Sequence, residues 1–116
     1  MLTGAMLGLM EQIGQDILTL SGELDEEEYF ASRLTRIETQ RLLAAMVRNV
    51  AYLPFDIKVK MPEIDWAGWA ALEGALQQPS HHRLKIWVAI KELTPQTLQH
   101  LVDYKRICPE LFSIVP

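Results

Sequence analysis

The chain has 116 residues, 49% hydrophobic and 22% charged, with a formal net charge of −4, enough for one domain that buries roughly 65% of its unfolded surface. The acidic balance gives no electrostatic footprint for DNA or RNA, and without a run of about 20 apolar residues no membrane span is expected. The lone cysteine, Cys108, excludes an internal disulfide framework and fits a reducing cytoplasm, the expected location.

The N-terminal segment lacks the basic start of a signal peptide and meets Glu11 and Asp16 early, so it reads as a helix of the mature protein. Leu2, Met6, Leu9, Met10, Ile13, Ile17 and Leu20 recur at three- and four-residue steps, an amphipathic helix. Gly4, Gly8 and Gly14 lie inside it, which a close helix approach at the Gly4–Gly8 pair or a frayed N-terminus would explain, and Ser21-Gly22 predicts a left-handed cap. Asp25 with Glu28 forms a capping box that opens a short acidic helix. Its carboxylates do not make a metal or acid–base site, because successive helical positions diverge by about 100° and acids are favoured at a helix N-terminus anyway.

Thr35 and Glu38 offer a second capping box, for a helix from about Arg36 to Tyr52 with Thr39, Leu43, Met46 and Val50 facing inward. On another face Arg41 and Arg48, two turns apart among Ala44, Ala45 and Ala51, are the candidate partner-binding residues; the alternative is a solvated face whose long stems lie over apolar neighbours. Pro54 is expected at the first position of a short helix ending near Lys60, and Met61 before Pro62 should leave the helical region. Asp65 is the natural N-cap of the next helix, where Trp66, Trp69, Leu72 and Leu76 share a side. Ser80 is expected to cap a helix over His81 to Leu93, burying Leu84, Trp87, Val88 and Ile90, and Thr94-Pro95 to cap another. The three tryptophans are expected to form one core or interface cluster. An apolar tail, 107–116, must dock on this domain or on a partner. The fold class is all-α, an antiparallel bundle of four to five main helices with short connecting helices, in a single domain.

The stretch Leu53 to Trp66, with its proline-started helix, its Pro62 stop and Glu63-Ile64-Asp65-Trp66, resembles the HepT-like family of the HEPN superfamily. So do Leu24 to Phe30, Thr39-Gln40-Arg41 and Leu84-Lys85-Ile86-Trp87; the likeness runs from about Met10 to Leu101. It implies a HEPN-like helical bundle, a homodimer, and descent from a ribonuclease toxin paired with a nucleotidyltransferase antitoxin. The family's arginine would fall near Glu73, its partner asparagine at Gly74, its histidine near Gln78 and its following tyrosine near Ser80. Glutamate would repel a phosphodiester, and glutamine exchanges no proton.

The expected function is therefore a non-catalytic HepT-like interaction protein, with a homodimer and a nucleotidyltransferase-like protein as partners and no cofactor. One alternative is a divergent HEPN ribonuclease using His81, His82 and Arg83, although adjacent helical side chains diverge. Another is a small-ligand module with a pocket lined by Trp66, Trp69 and Trp87. Three histidines without a His-x-x-x-His spacing give no metal-ligand pattern. Cys108, with no His or Asn nearby in sequence, reads as a structural thiol.

Overall fold

The computed structural model describes residues 2–113, the side chain at position 2 excepted; the expected core position Leu2 and the tail residues Ile114, Val115 and Pro116 fall outside that description. The described residues form an all-α helical bundle without strands. Its elements are α1 (Leu2–Ser21), α2 (Glu26–Ala31), α3 (Arg33–Tyr52), α4 (Phe55–Lys60), α5 (Trp66–Gln77), α6 (Arg83–Val88) and α7 (Thr94–Ile107). Short 3-10 turns lie at Pro79–His81 and Pro109–Phe112.

α1 lies antiparallel to both of its long neighbours. The Asn49 amide of α3 donates to the Met6 carbonyl at 2.8 Å, while Leu20 at the far end of α1 borders the same groove as Glu38 near the start of α3. On the other side Lys105 of α7 pairs with Glu11 at 3.5 Å. One apolar core collects Leu7, Met10, Ile17, Leu43, Met46, Trp69, Ile86, Ile90 and Leu101, so every long helix contributes a buried stripe. The α3 stripe is the expected one, with Thr39, Leu43, Met46 and Val50 buried. In α1 the buried face turns slightly, taking Leu7 inward and leaving Leu9 half exposed.

Local capping chemistry sets several boundaries. Asp25 accepts from the Glu28 amide at 2.8 Å and the Glu28 carboxylate accepts from the Asp25 amide at 3.0 Å, the expected reciprocal box. Asp65 caps α5 by accepting from Gly68 N–H at 2.8 Å. Met61 leaves the helical region (φ −127°, ψ 63°) as its position before Pro62 demands. Pro54 sits one place outside α4 as its N-cap, with its carbonyl accepting from Ile57 and Lys58.

Other boundaries differ from the sequence-based expectation. α3 begins at Arg33, because the single extended residue Ser32 ends α2 and starts α3 at once; the Thr35–Glu38 capping box does not form, and the Ser32 hydroxyl instead donates to Thr35 at 2.9 Å. Ser80 caps nothing, since it lies inside the Pro79–His81 turn and α6 starts at Arg83 behind His82. The expected N-cap at Thr94-Pro95 is absent: Thr94 is helical (φ −64°, ψ −51°) and 83–107 runs as one rod. A π turn over Ala89–Leu93 lets the rod pass the proline. Both the amide and the hydroxyl of Thr94 reach the Ala89 carbonyl, the hydroxyl at 2.8 Å, just before the residue that lacks an N–H. Packing selects Ile86, Ala89 and Ile90 as the inward face of this rod, so Leu84 is 68% exposed and Val88 is exposed, against expectation.

The glycines divide differently too. None has a positive φ, so Gly22 is not a left-handed cap. A Cβ at Gly4 would run into the Ser113 carbonyl oxygen, and one at Gly14 would fall 2.7 Å from a Leu98 methyl, whereas Gly8 faces open space. The close approaches are therefore at Gly4 and Gly14, not at a Gly4–Gly8 pair. Gly4 admits the end of the chain: the Pro109–Phe112 turn packs on α1 with Leu111 and Phe112 half buried against the core, so this part of the tail folds back on its own domain.

Candidate functional site

The positions where the resemblance would place an arginine, an asparagine and a histidine lie on and just beyond α5. That helix turns Trp69, Leu72 and Ala75 into the core, which leaves Glu73 and Gly74 exposed on the opposite side. Gln78 ends the helix by leaving the helical region (φ −135°, ψ 68°). Its side-chain oxygen lies 3.2 Å from Nδ1 of His81.

His81, His82 and Arg83 follow at once, with His81 and Arg83 engaged by different neighbours. His81 is exposed and meets an amide, which can neither take nor give a proton; His82 is half buried at the start of α6. The Arg83 guanidinium rests 4.3 Å above the Phe30 ring. General acid–base work needs a base within hydrogen-bond reach of the proton it moves and a second group to orient it. His81 has no such orienting carboxylate among its described contacts.

Arg41 and Arg48 lie one above the other on the outer side of α3. Arg41 is tied to Glu38 at 2.5 Å. Their shared hydrogen bond holds the Glu38 carboxyl below the usual carboxylate range and raises the Arg41 guanidinium. Arg48 is exposed and has no carboxylate partner among the described residues. It stands on the ridge between two grooves. One, of about 480 Å³, separates α1 from α3 and includes Leu9, Gln12, Asp16, Arg41 and Tyr52. The other, of about 430 Å³, separates α3 from α5 and has Ala44, Val47, Ala51 and Leu76 along it, with Arg48 and Glu73 on opposite rims. Tyr52, 79% exposed, borders both. The small residues at Ala44 and Ala51 are what open the second groove between the helices.

The tryptophans do not converge on one pocket. All three join the core, Trp69 wholly and Trp66 and Trp87 in part, but each has its own partner. Trp69 donates to the Thr97 hydroxyl at 2.9 Å, Trp66 to the Met61 carbonyl at 3.0 Å, and Trp87 packs 5.6 Å from Tyr29 and 6.3 Å from Phe30. The expected Trp66–Trp69–Trp87 pocket is thus replaced by three separate anchors, because α5 directs its two indoles to different neighbours and α6 directs Trp87 to α2.

A cleft that the sequence did not disclose lies where α2 and the start of α3 meet the Pro79–His81 turn. Phe30, Arg36, Gln40, Ser80 and Arg83 border it. Only the Arg36/Gln40 spacing, one helical turn, was legible in advance; the other members come from distant segments. Tyr29 next to it is buried, and that burial lifts its phenol above the ordinary tyrosine value despite the opposing bonds from Thr39 and Gln40. Among the described residues no three His, Cys, Asp or Glu side chains are grouped to hold a metal ion, and no helix is long and apolar enough to cross a membrane. No family model, curated protein or solved structure matches this chain.

Proposed function

We propose that this chain is a non-catalytic, HepT-like interaction protein that works as a homodimer and docks a nucleotidyltransferase-like partner. The observation that supports this reading best is the α3–α5 groove, which has an apolar, small-residue floor and carries Arg48 and Glu73 on opposite rims. Neither of these two charges has a salt-bridge partner among the described residues of its own chain. A two-fold axis through such a groove brings Arg48 of one copy to Glu73 of the other, since an isologous contact repeats each pair twice. The same glutamate stands where the resemblance calls for the ribonuclease arginine, so recognition replaces phosphate attraction there. Arg41, which lines the α1–α3 groove and not the α3–α5 one, is left for the second partner.

The reading is tested by sedimentation at micromolar concentration, with RNA cleavage measured on the same samples. A dimer is expected, weakened by Arg48→Glu and by Glu73→Arg separately and restored when both are combined, with single-stranded RNA and transfer RNA left intact. A monomer throughout the micromolar range ends the dimer proposal. RNA cleavage that is lost in a His81→Ala, His82→Ala double variant replaces the proposal with the divergent ribonuclease.

A further inference from the structure

We infer that the cleft between the α2–α3 corner and the Pro79–His81 turn is a binding site for the oxyanion of a small molecule, a phosphate or a carboxylate. This does not rest on the interaction reading, and it concerns a different face from the α3–α5 groove. The cleft encloses about 440 Å³, within the range of small-molecule sites.

Its walls supply donors and no carboxylate. Arg36 and Arg83 stand on different segments, with the Gln40 amide and the Ser80 hydroxyl beside them and Phe30 between. Both guanidinium groups are held in place. Arg36 is half buried, and its Nη1 donates to the Phe30 carbonyl. The Arg83 guanidinium carbon lies over the Phe30 ring, 4.3 Å from its centre, and that ring is itself braced edge-on by Tyr29 at 4.9 Å. The arrangement therefore loses little freedom when it closes on a ligand.

Most described cations have no ion-pair partner among the described residues, so it is the sharing of one cleft that sets Arg36 and Arg83 apart. Acidic residues outnumber Lys and Arg by 15 to 11, and Arg41, Lys105 and Arg106 each have a carboxylate within reach. Arg36 and Arg83 have none among the described residues, although they share one cleft. Two like charges at a common cavity repel each other until an anion lies between them, and planar guanidinium forks match the oxygens of phosphate and carboxylate. The negative net charge of the whole chain argues for a small ligand and against a long polyanion. A phosphate brings more oxygens and more charge than a carboxylate to two arginines with the Ser80 and Gln40 donors beside them, whereas a carboxylate must share two oxygens among the same groups.

The test titrates the full chain with inorganic phosphate and, separately, with acetate, in calorimetry and in thermal unfolding at constant ionic strength set by chloride. One phosphate per chain is expected, with a thermal midpoint raised beyond the chloride control. Arg83→Gln, which alters an exposed side chain, is expected to weaken binding at least tenfold, and Arg36→Lys, which keeps the charge but loses the fork, to weaken it severalfold. Arg106→Gln on α7 is expected to bind as the parent does. Saturation by phosphate with acetate inert assigns a phosphorylated ligand, and saturation by both assigns oxyanions generally. The inference is overturned if neither anion exceeds the chloride control, or if Arg83→Gln binds as tightly as the parent protein.

Discussion

Replacing Gly14 and Gly8 by alanine is one chemical change made twice on α1, and the structure gives the two replacements opposite signs. Alanine is favoured over glycine in a helix interior by about 1 kcal/mol, partly because it restricts the unfolded chain. At Gly8 nothing lies within 4 Å of the added methyl, so Gly8→Ala should stabilise by about 0.5–1 kcal/mol. At Gly14 the methyl would sit 2.7 Å, 2.9 Å and 3.1 Å from three side-chain carbons of Leu98. Leu98 is 5% exposed and has little space to retreat into, so α1 and α7 must separate or the leucine must leave its rotamer. Overpacking of this kind costs roughly 1–3 kcal/mol. It outweighs the propensity gain, and a net destabilisation of about 1–2 kcal/mol is expected. Urea unfolding followed by helical circular dichroism, at one fixed protein concentration, reads the difference. With a slope of about 2 kcal/mol per molar, the two variants should have midpoints on opposite sides of the parent, separated by roughly 1 M. Adding Leu98→Ala should relieve the clash, so that Gly14→Ala costs less in that background than in the parent. If Gly14→Ala proves as stabilising as Gly8→Ala, the α1–α7 crossing is not as close as described here, and the reasoning fails.

Trp69→Ala should cost about 3–5 kcal/mol, since Trp69 is fully buried, and Trp66→Ala less because that ring is only partly buried; equal losses in denaturant unfolding would contradict this difference in burial. Thr97→Val should cost about 1–3 kcal/mol by leaving the Trp69 indole N–H without its buried acceptor, as the same assay would report. Tyr29 keeps its proton longer in the folded than in the unfolded chain. Its contribution is accordingly complete below about pH 10 and is lost as pH rises from there through the higher folded value. Tyr29→Phe should cost about 1 kcal/mol at neutral pH and flatten the alkaline decline of stability, and matching alkaline slopes in the two proteins would refute this. The Phe112→Asp variant should destabilise the monomer itself, because Phe112 packs on its own core; a loss seen only in dimer sedimentation would place that side chain at a subunit contact instead.

Much of this bundle is written within single turns of the chain. Asp25 with Glu28, Asp65 with Gly68, and Met61 before Pro62 act through groups no more than three residues apart, so their boundaries could be read before any neighbour was known. The α3 stripe was equally legible, because Thr39, Leu43, Met46 and Val50 recur at the helical period whatever packs against them. Tertiary structure decided what those rules leave open. Thr35-Glu38 and Ser80 have capping chemistry but fall inside other turns, and Thr94-Pro95 stays helical because a π turn accommodates the proline. Packing also decided that Ile86 and not Leu84 turns inward, and that Gly14 and not Gly8 meets another helix. Neither the Arg48–Glu73 groove nor the Arg36–Arg83 cleft has a local signature, since each joins side chains from separate elements. A cap reports on the few atoms beside it, whereas a cleft exists only once distant helices have been brought together by the core they bury.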